Sequence, residues 1–135
     1  MAPRQLRQRV VTRTQVLGYL AKAEEYLSAA VDSLAANRTI AATSLAIHAG
    51  INAADVVTGA RLGVRAAEQE HGAVLGLLGQ AGTDGAAVSR ELTRLLPLKT
   101  RAEYDPDDVP SPTATRAVEQ ARRCVAAARR ATGGV

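Results

Sequence analysis

The sequence predicts an all-α protein, an up-and-down bundle of four to five helices. Three observations lead to this prediction. Alanine fills 28 of the 135 positions, whereas phenylalanine and tryptophan are absent and tyrosine occurs only three times. This composition suits close-packed helices better than a sheet, which favours β-branched and aromatic side chains. Hydrophobic residues make up 47% of the chain, enough to bury a core, and they recur at helical spacing along most of it.

The first two helices are the clearest. An apolar stripe predicts one helix over residues 14–36 and a second over about 40–62, with Thr39 as its N-cap. Gly63 follows the second helix, where a left-handed cap favours glycine. The second helix is apolar nearly all round, which is typical of a central helix that packs on several sides.

The rest of the chain predicts three more helices. A third covers about residues 66–80 and is followed by a turn at 82–85. A fourth covers about 86–104, with a kink or break at Pro97 because proline removes a backbone hydrogen bond. After a proline-rich loop, the last helix begins at Ser111 and Pro112 and continues to about residue 131.

Charge divides the chain unevenly. The first 13 residues carry four arginines and no other charge, while the remainder carries 13 basic and 13 acidic residues, so the net charge of +4 belongs to the start of the chain. We therefore predict a basic flexible arm at 1–13, a single bundle at 14–132 and a tail at 133–135. Such an arm either contacts phosphate or anionic lipid or simply aids solubility. Within the bundle, the segment 103–108 forms an acidic loop and the last helix is basic.

Several classes of function are excluded by missing residues. The single cysteine, Cys124, excludes an internal disulfide and a cysteine-based zinc site, and two histidines are too few for a histidine metal site unless carboxylates join them. We expect no metal and no cofactor. The sequence contains no phosphate-binding glycine loop, nucleophile elbow or paired catalytic carboxylates. No apolar run approaches the roughly 20 residues of a membrane span, and no signal peptide is evident, so we expect a cytoplasmic protein without a membrane partner.

A polar line on the second helix is the best candidate site. Ser44, His48, Asn52 and Asp55 have the spacing that places them on one helical face. Buried polar groups need partners, since each costs about 1–3 kcal/mol if left unpaired. The line is therefore either a satisfied hydrogen-bond network, within the bundle or across a dimer seam, or the wall of a polar cleft.

Three stretches resemble the HEPN family of small helical domains. Leu-Leu-Pro-Leu-Lys-Thr-Arg-Ala-Glu-Tyr-Asp at 95–105 is similar to the end of the family's fourth helix, which an acidic loop and a last helix follow. Ser-Leu-Ala-Ile-His-Ala-Gly-Ile-Asn-Ala-Ala-Asp at 44–55 resembles its alanine-rich helix, and His71 with Leu77 and Leu78 resembles its third helix. The resemblance covers about residues 15–129.

The resemblance implies a homodimer of helical bundles with a cleft at the subunit seam. Many HEPN proteins are metal-independent ribonucleases of toxin–antitoxin or phage-defence systems, and others bind nucleotides or partners without cleaving anything. The ribonucleases carry an arginine, four to six other residues and then a histidine. Arg101 fits the arginine, but residues 106–108 are Pro, Asp and Asp. Arg65 and His71 have the spacing but lie in a different segment.

The resemblance, together with the missing histidine, therefore implies a non-catalytic binding or regulatory protein of a bacterial toxin–antitoxin or defence system. We expect a homodimer, with a nucleotidyltransferase-type or other protein partner and RNA or a nucleotide as ligand. The cleft candidates are Ser44, His48, Asn52, Asp55 and Arg101, and we also expect that Arg101 and Asp55 could pair.

Two alternatives remain open. One is a metal-independent ribonuclease toxin that uses Arg101 or Arg65 with His71, with Tyr104 as a further catalytic candidate. The other is a nucleic-acid-binding module led by the arginine arm.

Overall fold

The computed structural model describes residues 8–67 and 71–133, except for the side chain of His71. It is predominantly helical, which confirms the all-α class. The described residues form, in chain order, β1 (Gln8–Val10), α1 (Arg13–Ala35), α2 (Thr39–Leu62), β2 (Val64–Ala66), α3 (His71–Leu78), α4 (Gly82–Leu95), α5 (Leu98–Glu103) and α6 (Ser111–Ala131). The two strands pair antiparallel in a small sheet.

Helix α2 is the centre of the bundle, as its sequence predicts. It packs against α1, α6, α4, α5, α3 and β2, and half of its 24 residues are buried. Small residues allow these close approaches: a Cβ added to Gly50 would lie 2.9 Å from a methyl carbon of Leu95.

Helix α2 also bears on the question of a membrane span. By length and composition it could cross a bilayer, which corrects the expectation that no apolar run reaches that length. However, 56% of its most apolar window is buried inside the protein, as in the core helix of a globular bundle. The apolar composition of α2 is therefore explained by its place in the core.

The segment before α1 is more ordered than predicted. Residues 8–10 form β1, whose Val10 pairs with Val64 of β2. Val11 is buried and donates its N–H to the carbonyl of Gly63 at 2.9 Å. Arg13 belongs to α1, and its guanidinium donates to the carbonyl of Thr132 at 3.1 Å. The prediction of a flexible arm is therefore wrong for residues 8–13, and residues 1–7 and 134–135 lie outside the described residues.

The described residues form six helices rather than the predicted four to five, because the break at Pro97 divides the predicted fourth helix into α4 and α5. Two local predictions were also wrong. Ala66, where the third helix is predicted to begin, pairs with Gln8 of β1 instead, and α3 covers only His71–Leu78. Residues 82–85 form the first turn of α4 instead of a separate turn, beginning at Gly82 with φ +71°. The predicted break at Pro97 is confirmed, and it separates α4 from α5.

At the ends of α2, one predicted cap is confirmed and the other is wrong. Gly63 caps α2 with φ 72°, which confirms the predicted left-handed cap. Thr39 is the first residue of α2 rather than its N-cap, a position that Arg38 occupies without a side-chain hydrogen bond. At the start of α1, Thr12 and Gln15 form a capping box that satisfies two otherwise free backbone N–H groups.

Candidate binding site on helix α2

The predicted polar line exists as a partly exposed face of α2. Ser44, His48, Asn52 and Asp55 are all half-buried, in contrast to the fully buried side of the same helix. We call these four residues the α2 polar face. Over eleven residues it spans about 16 Å, given the 1.5 Å rise per residue of an α-helix. Side chains from three other elements border it.

One end of the α2 polar face centres on the carboxylate of Glu103. Its Oε1 lies 3.3 Å from His48 Nε2 and 3.4 Å from Ser44 Oγ. Both distances are long for hydrogen bonds, so Glu103 keeps capacity to accept from another donor. On the other side of the imidazole, the ring of Tyr26 lies 5.4 Å from the His48 ring, centroid to centroid. His48 is thus fixed between an aromatic ring and a carboxylate.

Glu103 reaches this position because Pro97 ends α4. The break turns residues 98–103 into α5, which packs on α2, and Glu103 is the last residue of that short helix. A continuous helix through residue 104 would have carried Glu103 in the direction of α4 instead. The proline break is therefore part of how the site is built.

At the other end of the α2 polar face lies Asp55, whose carboxyl group has a raised pKa. Burial raises the pKa of Asp55 to about 6, and the positive charge of Arg65 acts in the opposite direction. Arg65 lies on β2, with its guanidinium carbon 5.5 Å from the centroid of the Tyr19 ring and its NH1 donating to the carbonyl of Ala66 at 3.1 Å. This is a cation–π arrangement. The sheet between β1 and β2 therefore brings a cation to Asp55.

Between these two ends, Asn52 is satisfied within its own helix. Its Nδ2 donates to the carbonyl of His48 at 2.8 Å. The bond uses one of the amide's donors and leaves its carbonyl oxygen as an acceptor. Asn52 thus presents a hydrogen-bonding group at the middle of the α2 polar face.

A cavity of about 620 Å³ opens beside the Glu103 end. Ser44 and Glu103 line it, so the cavity and the α2 polar face share two polar groups. Arg38 and Asp108 supply opposite charges at the same cavity, while the rest of its lining is Asn37, Thr39, Ile40, Ala41 and Ala102. Its volume lies within the range of small-molecule sites, but it is a shallow cavity, open to solvent over most of its boundary. The arrangement offers a place for a ligand with both polar and apolar parts.

The candidates at 101–104 are only partly gathered at this site. Arg101 is half-buried on α5 and forms no ion pair with any described residue, so the expected Arg101–Asp55 pair is absent; the positive charge of Arg65 acts on Asp55 instead, although these two form no ion pair either. Tyr104 follows α5 and is 74% exposed. His71 begins α3, which packs on α4, α2 and β2, whereas α5 packs on α2 and α4. Pairing of Arg101 with His71 stays a prediction.

Two aromatic residues of the site were missed, although the sequence held a signal. Tyr19 and Tyr26 are seven residues apart and so share one face of α1. The short connection between α1 and α2 makes an antiparallel hairpin, in which residue 26 is level with 48 and residue 19 with 55. Glu103 was assigned to the acidic loop, and only the packing of α5 shows its contact with His48.

Comparison with known proteins finds no matching family model and no curated protein of significant similarity. Searched among the described residues, groups of three or more side chains that could hold a metal ion are also absent.

Proposed function

We propose that the chain is an HEPN-like helical protein that binds a nucleotide and regulates a bacterial toxin–antitoxin or defence system, without itself cleaving RNA. The observation that carries this proposal is the cluster of Ser44, His48 and Glu103 beside the 620 Å³ cavity. The guanidinium of Arg38 suits a phosphate, while Ser44 and Glu103 suit ribose hydroxyls or an amino group of the base.

The surroundings of His48 favour binding over catalysis. Metal-free RNA cleavage needs an acid–base group together with a cation that holds the phosphate. The charged side chain in contact with His48 is the carboxylate of Glu103, which is not the cation that would hold a scissile phosphate beside the histidine. Arg101, which fits the arginine of the family's ribonuclease motif, has Pro106 and two aspartates where the histidine belongs.

The test is isothermal titration calorimetry with ATP and AMP as probes. We expect Glu103→Gln and Ser44→Ala each to weaken binding at least tenfold. Thr115→Ala is the matched control, because Thr115 is exposed on α6 and its hydroxyl bonds only to its own helix. Failure of the wild-type protein to bind either nucleotide at millimolar concentration would overturn the assignment of a nucleotide.

We also propose a homodimer formed through the same side of α2. Ile40 is 42% exposed and Ile51 is half-buried, so a short apolar strip of these two residues borders one edge of the α2 polar face, while the half-buried Leu45 lies at its other edge. A second copy can cover this strip, and the cleft of the resembled family lies at such a seam. We expect Ile40→Glu to shift a dimer to a monomer in size-exclusion chromatography with light scattering. Leu17→Glu is the control, because Leu17 is 45% exposed on α1; a wild-type monomer at micromolar concentration contradicts the proposal.

The protein partner is proposed by analogy with the family. A nucleotidyltransferase-type protein, or another component of the same system, fits a regulatory role in the cytoplasm. Co-purification of the chain with the product of a neighbouring nucleotidyltransferase gene, and loss of the complex in Ile40→Glu, is the expected result. Separate elution of the two purified proteins contradicts it.

One observation favours a ribonuclease as second candidate. Arg65, the arginine of the Arg65–His71 spacing, acts on a carboxyl whose pKa of about 6 lies close to neutrality. A carboxyl that titrates near neutrality can exchange protons, and the charge of Arg65 acts on it. Purified protein is incubated with RNA in chelator, as wild type, Arg65→Ala, Arg101→Ala and His71→Ala. Cleavage that is lost in Arg65→Ala and His71→Ala supports this candidate, and absence of cleavage in all four rejects it.

A further inference from the structure

The exposed charges of α4 and α6 are nearly all of one sign. The two helices carry seven arginines, and every one is exposed: Arg90, Arg94, Arg116, Arg122, Arg123, Arg129 and Arg130. Of their three carboxylates, Asp84 and Glu91 are buried and Glu119 alone is exposed. We call the seven residues the arginine face.

Two ion pairs define how the helices lie against each other. Arg130 Nε is 3.2 Å from Asp84 Oδ1, and Arg123 NH1 is 3.4 Å from Glu91 Oε2. Because the partner residue numbers fall along α6 as they rise along α4, the two helices are antiparallel. In this register Arg94 is level with Gln120, one turn from Arg116 in one direction and from Arg123 in the other.

The arginines of α6 form straight rows. Three of them, Arg116, Arg123 and Arg130, are spaced by seven residues and therefore share a face, in steps of about 10 Å and over about 21 Å. Arg122 and Arg129 form a second row with the same spacing. On α4, Arg90 and Arg94 are four residues apart and share a face as well. Because the rows lie on packed helices, the spacing of their backbone positions is fixed.

Ion pairing leaves much of this positive charge available. The buried carboxylates of Asp84 and Glu91 fix Arg130 and Arg123, but a guanidinium has five N–H groups and each of these contacts occupies one or two. Arg122 and Arg129 pair with half-exposed glutamates, which exchange easily with another anion. Arg116 forms no ion pair with a described residue.

The neutral total charge of the bundle thus conceals a separation of charge. The acidic loop at 103–108 collects four carboxylates at the end of α5, while the arginine face lies on α4 and α6. A surface of this kind attracts a polyanion from a distance and orients the protein as it approaches.

We propose that the arginine face binds a nucleic-acid duplex through its phosphate backbone, independently of base sequence. A duplex is a stiff polyanion with one charge per about 1.7 Å of axis, so about 12 phosphates lie along a 21 Å row. Arginine suits phosphate because its planar fork donates two parallel hydrogen bonds. The site lies on other helices than the α2 polar face and does not depend on the nucleotide proposed there.

Other polyanions fit the arginine face less well. Single strands are bound by stacking on aromatic rings, and α4 and α6 contain no aromatic residue. Membrane surfaces are bound by basic helices that also insert apolar side chains. Within the described residues, the large exposed apolar side chains are Val10, Leu17, Ile40 and Tyr104, and these lie outside both helices.

The experiment is fluorescence anisotropy with a labelled 20-base-pair DNA duplex, the RNA duplex of the same sequence and one single strand, from 50 to 300 mM salt. The test variant is Arg90→Gln/Arg94→Gln/Arg116→Gln, which spares the arginines that hold Asp84 and Glu91. The matched control, Arg4→Gln/Arg7→Gln/Lys22→Gln, removes three positive charges elsewhere, two of them near the start of the chain. Circular dichroism verifies that both variants fold.

We expect the wild type to bind both duplexes more tightly than the single strand. In the test variant, binding at 100 mM salt weakens at least tenfold, and the slope of log K against log salt for DNA decreases by about 2.7, for three lost phosphate contacts. Equal binding of the two duplexes assigns recognition to their shared phosphates, and preference for one identifies the duplex bound. Unchanged binding in the test variant, loss in the control variant only, or no duplex binding at 50 mM salt overturns the proposal.

Discussion

The guanidinium of Arg61 lies 2.8 Å from the carboxylate of Asp84. The contact ties the last turn of α2 to the first turn of α4, and Arg130 brings the end of α6 to the second oxygen of the same carboxylate. Asp84 is only 8% exposed, and its place in the first turn of α4 suits a negative charge because of the helix dipole. The hydrogen bond from Arg61, followed by the contacts of Arg130, lowers the pKa of Asp84 against the opposing effect of burial.

Replacement of Asp84 is therefore expected to be costly and dependent on pH. We predict that Asp84→Asn lowers the free energy of unfolding by about 2 kcal/mol at pH 7, since it removes a buried charged partner of two arginines. A depressed folded-state pKa means that this stability is present above the ordinary aspartate range and is lost as pH falls through the folded value. Urea unfolding at pH 7 and at pH 3 measures both effects. Equal stability of the two proteins at pH 7 contradicts the role assigned to Asp84.

Asp55 is expected to show the opposite sign. Its folded-state pKa of about 6 lies above that of an unfolded aspartate, so the folded protein binds the proton more tightly and stability falls as pH rises from about 4 to 6. We predict that Asp55→Asn raises the melting temperature at pH 8 and leaves it nearly unchanged at pH 4. Calorimetry of the two proteins across this range checks the prediction. A variant less stable than wild type at pH 8 shows that the attraction between the charges of Asp55 and Arg65 outweighs the cost of burial.

Cys124 is predicted to be chemically inert in the folded protein. It is fully buried on α6, and burial, together with the nearby charge of Glu91, raises the pKa of its thiol to about 12 against the effect of Arg123. The reactive thiolate is therefore scarce at pH 8. A chromogenic disulfide reagent should react slowly with native protein and rapidly after addition of guanidinium chloride. Rapid reaction of the native protein disproves this prediction.

Two glycines provide a matched pair for testing the packing of α3 on α4. A Cβ added to Gly85 would collide with the backbone carbonyl of Leu78, whereas one added to Gly72 would meet nothing within 4 Å. Gly85→Ala should lower stability by about 1–3 kcal/mol, the usual cost of overpacking. Gly72→Ala should raise it by a few tenths of a kcal/mol up to about 1, the difference in helix propensity. Chemical unfolding of both variants makes the comparison, and similar values for the two contradict it.

The helices with long apolar stripes could be predicted from the sequence, because local periodicity determines them. The small sheet could not: β1 and β2 have three residues each, too few for an alternating pattern, and they form through a contact between distant segments. For the same reason, the helix predicted over residues 66–80 is too long: Ala66 pairs with β1, and α3 begins at His71.

Likewise, one part of the candidate site could be predicted from the sequence and another part could not. The α2 polar face could be found because its four members lie on one helix, so their common orientation follows from spacing alone. The partners of that face come from α1, α5 and β2, and their positions depend on how whole elements pack. The expected pair of Asp55 with Arg101 was wrong because Arg65, held by the sheet, supplies the cation that acts on Asp55.

The hydrogen bond from Arg13 to the carbonyl of Thr132 joins residues 119 positions apart. By contrast, Tyr26 and His48 meet across the short turn between α1 and α2. Because the entropy lost on closing a loop grows with its length, the helical hairpin is expected to form early and the Arg13–Thr132 contact late. The Arg13–Thr132 contact therefore reports complete folding. Fluorophores placed at positions 13 and 132 would come together only when the chain between them has folded.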